Sequence, residues 1–198
     1  MASPPVDPRA SRTPETEAVL LEAALEELLA HGIRRTTASD IARRAGVSRQ
    51  TLYRYWPDAH AVFAALVTRE LLRALPSSGE PSDLEGLVAL LVETADGMRR
   101  MPLLDRLRET DPELFGRYIL TRLGTSQRAM HADLARRISR GQEHGYVRPG
   151  DPAPLAAMVL LIVQSAVQSA PLVAEWLDDE AWRRELHAAL AGYLGDRA

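Results

Sequence analysis

Seven consecutive residues, Arg49-Gln50-Thr51-Leu52-Tyr53-Arg54-Tyr55, set two arginines, a glutamine, a threonine and two tyrosines around one leucine. Such side chains suit recognition by hydrogen bonding. A planar guanidinium can donate two parallel bonds to guanine, and a primary amide pairs in the same bidentate way with adenine. Arg49 and Gln50 therefore fit base edges. Thr51 offers a methyl to thymine or a hydroxyl to phosphate, and Arg54 fits a base or a phosphate equally well.

The elements that must hold these side chains lie in the run from Thr36 to Pro57, which reads as two short helices joined by a tight glycine turn. Thr37 caps the first helix by accepting from the backbone N–H of Ser39 or Asp40. Ile41 and Ala45, four apart, share its inward face. Ala42 is small enough for a second helix to cross closely. Gly46 can take the left-handed conformation that ends a helix. Val47 plugs the corner, Ser48 caps the second helix, and Leu52 points back into the core. That second helix, Arg49 to about Trp56, is expected to enter the major groove of DNA. Arg43 and Arg44, on the first helix, face phosphate or solvent.

With Tyr53-Arg54-Tyr55-Trp56-Pro57-Asp58 following it, this run resembles the N-terminal domain of TetR-family transcriptional regulators over roughly Thr13 to Leu66. The resemblance implies a homodimer that binds a palindromic operator, usually as a repressor, and is released by a small ligand in a larger helical domain. By the same similarity Thr37, Tyr53 and Tyr55 are phosphate clamps. The expected DNA-binding set is Thr37, Ser48, Arg49, Gln50, Thr51, Tyr53, Arg54 and Tyr55. One position departs from the family pattern. Where the family usually has lysine at the start of the fourth helix, this chain has Ala59, and the adjoining His60 is a poor substitute for it. One phosphate contact per subunit is then missing, which predicts weaker and less salt-sensitive binding unless Arg54 or the N-terminal arginines compensate.

Charge supports the division of labour. The net charge of the 198 residues is −3. Between Gly32 and Asp58, however, six arginines face two acids, so this window is +4 and the remainder −7. A basic end on an acidic body is the asymmetry expected when one end meets phosphate. All 24 basic residues are arginine, which we read as coding bias. A hydrophobic fraction of 46% and a charged fraction of 26% are those of a globular chain, long enough for one large or two small domains. Cysteine is absent, which excludes disulfides, thiolate metal ligands and a cysteine nucleophile, and suits a cytoplasmic location. The apolar run Met158 to Val163 is too short to span a bilayer, so no membrane partner is expected. Pro4, Pro5, Asp7 and Pro8 interrupt any signal-peptide core.

The chain reads as all-α. Residues 1–12 are expected to be a disordered arm, 13–60 a three-helix DNA-binding domain with the helix-turn-helix, and 61–198 a helical ligand-binding and dimerisation domain. Thr13-Pro14-Glu15 starts the first helix, and a fourth runs from the Asp58 cap to about Leu75. Later helices are expected from Ser82 or Asp83 to Met101, from Thr110-Asp111-Pro112 as one long element to about Gly141, from Pro152 to Ala170, and from Asp179 to Leu194. The helix from Pro154 to Ala170 is apolar nearly all round and needs cover on every side. Either it is the central helix of a monomer, or the last two helices of each subunit form a four-helix bundle across a dimer. The bundle would be seamed by Leu161, Ser165, Trp182, Leu186 and Leu190. Met98, Met101, Phe115, Tyr118 and Met130 suit a pocket for a small apolar effector, or ordinary core. Gln164 and Gln168, four apart on that apolar helix, would hold a ligand or bond across the seam.

Enzymatic readings find no support. His131 with Asp133, and Glu143 with His144, do not share a helical face and make no metal site. There is no phosphate-binding glycine loop and no nucleophile elbow. No cofactor is expected. A helical homologue that binds DNA or a partner constitutively, without a ligand, is the alternative to a ligand-responsive repressor.

Overall fold

The computed structural model describes residues 13–76, 79–110 and 124–195. Among them are nine α-helices and no strand: α1 Pro14–His31, α2 Ala38–Arg44, α3 Arg49–Tyr55, α4 Ala59–Arg73, α5 Leu84–Arg99, α6 Pro102–Thr110, α7 Thr125–Glu143, α8 Pro152–Ser169 and α9 Asp179–Leu194. Local chemistry sets most of the boundaries. Thr13 caps α1 by accepting from Thr16 N, and Pro14, Glu15 and Glu17 follow in the first turn, where a missing N–H and negative charge are favoured. Asp58 accepts from Ala61 N at the start of α4, Asp83 from Gly86 N before α5, and Asp178 from Ala181 N before α9.

The chain divides into two compact units, residues 1–69 with 102–122, and 70–101 with 123–198. This differs from the expected boundary at residue 60, because packing and not chain order decides membership. In the first unit Leu20, Ala24, Leu28, Ile41, Leu52, Val62 and Leu66 are fully buried. α6 packs on α1 and buries Leu103, Leu104 and Leu107, so a helix beyond residue 100 completes the core of the N-terminal unit.

In the second unit α7 packs along α8, and α5 packs on both α8 and α9. Leu87, Val88, Ala95, Ile138, Ala156, Val159, Leu190 and Leu194 form its interior. A charged cluster ties the end of α5 to the start of α9. Asp96 accepts from Arg99 at 2.6 Å, Arg100 at 3.1 Å and Arg183 at 2.5 Å, and Asp179 accepts from Arg99 and Arg100 at 2.9 and 2.6 Å. Burial pushes the Asp96 carboxyl up, but the hydrogen bonds from the three guanidiniums outweigh it and bring it down to about 2.

Three expectations are corrected. The long helix from residue 110 to 141 does not exist as one element. Gly124 is extended (φ −77°, ψ −179°) and its N–H bonds to Gln127 Oε1, so α7 starts afresh at Thr125. α8 is covered on one side only: Leu155, Ala156, Val159 and Val167 are buried, whereas Leu161 is 60% exposed. With the turn that follows it, Pro152–Val173 is also long and apolar enough to cross a membrane by length and composition, since serine and glutamine interrupt the run without charging it. The arm at residues 1–12, and Phe115 and Tyr118, lie outside the described residues.

Candidate nucleic-acid interface

The helix-turn-helix is built from bonds between near neighbours. The Thr37 hydroxyl accepts from Asp40 N at 3.2 Å while Asp40 Oδ2 accepts from Thr37 N at the same distance, a reciprocal cap on α2. The Thr37 hydroxyl also donates to Asp40 Oδ2 at 2.6 Å. These bonds from Thr37, with the charge of Arg43, hold the half-buried Asp40 carboxyl below its usual range. Gly46 sits at φ +67°, and Val47 N bonds back to Ala42 O at 3.0 Å. Ser48 Oγ then accepts from Thr51 N at 3.0 Å and starts α3.

α3 has two faces. Leu52 and Tyr55 are buried, Thr51 is half-buried, and Arg49, Gln50, Tyr53 and Arg54 are exposed. The exposed four are one turn apart in two pairs, so they share a side. Arg49 lies against Tyr53, donating from Nη2 to the hydroxyl at 2.8 Å. Arg54 stacks over the Tyr55 ring, 5.7 Å from its centroid. Ser48 is exposed at the cap of α3, and Thr37 at the cap of α2.

Tyr55 departs from the expected clamp. Its hydroxyl accepts from Thr13 N at 2.9 Å and donates to Thr13 O at 3.3 Å, and the ring is buried. Its polar end is spent on anchoring the start of α1. The arginine patch is likewise smaller than its window suggests. Arg44 is bound by Glu27 at 2.7 Å and Glu26 at 3.0 Å, two acids just outside that window, and Arg43 by Asp40 at 2.8 Å. Ala59, where a lysine was expected, opens α4 with no charge to offer.

The profile of the family described as bacterial regulatory proteins, tetR family, matches residues 20–66, the segment from α1 into α4. Across most of its length the chain is also 43% identical to Rv2250c of Mycobacterium tuberculosis, named an uncharacterized HTH-type transcriptional regulator, over 183 residues covering 91% of this chain and 95% of that one. The chain belongs to the TetR family of transcriptional regulators. This TetR-family regulator is also 30% identical over 147 residues to the HTH-type transcriptional repressor SCO4008 of Streptomyces coelicolor, covering 73% of this chain and 74% of the repressor. Its fold matches the TetR-family repressor QsdR of R. erythropolis with a TM-score of 0.67 at 18% identity, over 94% of this chain and all of that one.

The second unit of the regulator holds a cavity of about 60 Å³. Met98 and Met130 line it, as expected, with Leu90, Leu91 and Val159. Met101, Gln164 and Gln168 are not among its lining residues. The Gln168 amide nitrogen is buried without a hydrogen-bond partner among the described residues. Sequence reasoning missed Thr94, Asp133 and Arg137 on the cavity wall. The signal was present, since Met130, Asp133, Leu134 and Arg137 follow helical spacing along one face of α7.

Of the residues expected at a dimer seam, Leu161 and Ser165 are exposed on α8. Trp182, Leu186 and Leu190 are instead mostly inside the chain's own core, and Trp182 Nε1 bonds to Ala166 O at 3.2 Å. They hold α9 onto α5 and α8, since the apolar face of an amphipathic helix is satisfied first by its own chain. Leu161 and Ser165, with Val173, Leu177 and one edge each of Trp182 and Leu186, line an open groove.

Proposed function

We propose that this regulator is a repressor that binds a palindromic operator as a homodimer and lets go when a small, largely apolar molecule enters the second unit. The observation that carries the DNA half is the exposed face of α3, where Arg49, Gln50, Tyr53 and Arg54 stand together behind the Ser48 cap. Arg49 and Gln50 read base edges. Thr37, Ser48, Thr51 and Tyr53 hold phosphate, and Arg54 takes either role. Tyr55 serves as the internal tie that keeps α3 against α1.

Two recognition helices meet successive major grooves when they stand about 34 Å apart, one DNA turn, which requires a two-fold dimer. The uncovered side of α8 supplies its seam, centred on Leu161 and Ser165. The first unit, residues 13–69 with α6, acts as the DNA-reading part and the second as the sensing and pairing part, with the protein working in the cytoplasm. Ligand entry at the Met98–Met130 cavity would favour dimers with a different spacing of the two DNA units, a population shift transmitted along α4. A coupling of about 2 kcal/mol lowers operator affinity roughly 30-fold.

Selection of DNA fragments by the purified regulator tests the first half, and a palindromic consensus with two equal half-sites is the expected result. Measuring ligand affinity with and without saturating operator tests the second, because linkage requires the same factor in both directions. Equal affinities would favour the constitutive reading, in which the cavity is ordinary packing space.

A further inference from the structure

The segment Gly79-Glu80-Pro81, which leads into α5, is pinned to α7 and the loop after it at three places. Arg137 Nη1 donates to the Gly79 carbonyl at 3.0 Å. Glu80 Oε1 accepts from Arg136 at 2.8 Å and from Arg140 at 3.1 Å. The Tyr146 hydroxyl donates to the Pro81 carbonyl at 3.0 Å. Gly79 itself sits at φ +105°, a conformation glycine adopts freely.

One of these pins differs from the others. Among Arg136, Arg137, Arg140 and Tyr146, Arg137 alone also lines the cavity, where Leu75 and Pro76, just beyond the end of α4, form part of the same wall. Its side chain is 6% exposed, and its Nε donates to Asp133 Oδ2 at 2.8 Å. Of the five N–H donors of the guanidinium, one on Nε holds Asp133 and one on Nη1 holds the Gly79 carbonyl, so an acceptor oxygen in the cavity can bind the remaining donors and pull the planar group toward itself. Apart from Thr94, whose hydroxyl donates to Leu90 O, and Asp133, an acceptor itself, the rest of the cavity wall is leucine, valine, methionine and proline, so Arg137 is the one charged donor a ligand oxygen meets there.

We infer that Arg137 is the latch through which this cavity senses its occupant. The matching ligand has a compact apolar body and one acceptor oxygen, and that oxygen draws the Arg137 guanidinium off the Gly79 carbonyl. The freed segment then loosens the chain between α4 and α5. This inference rests on the proposed reading of the cavity as an effector site.

The chain has no cysteine, so Ser82→Cys, at an exposed position beside the latched segment, gives a single site for a nitroxide label. Acetone and isobutene serve as probes of nearly equal shape, small enough for a cavity of about 60 Å³, and only the first carries an acceptor oxygen. Acetone should mobilise the label and isobutene should not. Like effects of the two, or an effect of neither, overturn the acceptor role of Arg137. Arg137→Gln should mobilise the label without any ligand and weaken operator binding by roughly tenfold, within the usual range of allosteric coupling. An unchanged line shape in that variant overturns the latch. A mobile label with unchanged operator affinity overturns its coupling to DNA. Should Arg137→Gln fail to fold, the double variant Asp133→Leu/Arg137→Leu replaces the buried pair with apolar side chains and decides the same questions. If the wild-type protein binds no DNA, the operator reading falls, while the label still reports on the latch.

Discussion

Arg49 reaches one helical turn along α3 and rests on Tyr53: Nη2 and Nε lie 2.8 and 3.2 Å from the hydroxyl, and the guanidinium carbon is 5.2 Å from the ring centroid. The residue best fitted to read a base is thus held by the residue best fitted to grip phosphate. A phenol hydroxyl that accepts from Arg49 still has its own proton to donate to a phosphate oxygen. On the proposed reading Tyr53 therefore orders the arginine and contacts the DNA backbone at once.

This pairing makes the two residues energetically coupled. Arg49→Ala should cost about 1–3 kcal/mol at the cognate site and relax preference at one base pair. Tyr53→Phe should weaken binding to every sequence, and should also remove part of the discrimination that Arg49 provides. A double-mutant cycle on the operator and on a single-base variant measures the coupling. Strictly additive effects would mean that Arg49 acts independently of Tyr53 when bound.

Tyr55→Phe should behave differently from Tyr53→Phe. It removes the bonds to Thr13 and leaves a partly buried backbone group less satisfied, which costs about 1 kcal/mol of stability. Operator affinity, measured where both proteins are folded, should change little. A loss of affinity matching that of Tyr53→Phe, with the melting temperature unmoved, would return Tyr55 to the phosphate contacts.

Leu161 is 60% exposed at the centre of the uncovered side of α8, and α8 itself carries no charged residue. A neutral apolar face can meet its own copy without like-charge repulsion. Leu161→Arg should place a charge in that seam and yield a folded monomer with greatly reduced operator affinity. Sedimentation at micromolar concentration gives the answer, and a wild-type mass of one chain would remove the dimer from the proposal.

The Asp96 cluster predicts a stability change in acid. The folded carboxyl titrates at about 2 against an ordinary 3.8. Its contribution is therefore complete above about pH 4 and is lost as pH falls through 2, and the difference corresponds to about 2 kcal/mol. Urea midpoints of wild type and Asp96→Asn should differ most at neutral pH and converge between pH 4 and 2. A gap that stays constant across that range would show that the three guanidiniums do not hold the carboxylate.

Local sequence chemistry alone determined the caps, the turns and the register of the recognition helix. Thr37 with Asp40, Gly46, and Ser48 with Thr51 act over three residues or fewer, so their geometry is fixed as soon as a helix forms. The ends of α9, Asp179 and Leu194, were legible for the same reason. What lies far apart in sequence was decided only by tertiary packing. The Tyr55 hydroxyl is spent on Thr13, 42 residues away. Arg44 is neutralised by Glu27, and Arg137 is divided between Asp133 and the Gly79 carbonyl. Trp182 faces the core of its own chain. A side chain's type gives the bonds it can make, but burial removes water as a partner, so the fold decides which protein group must take its place.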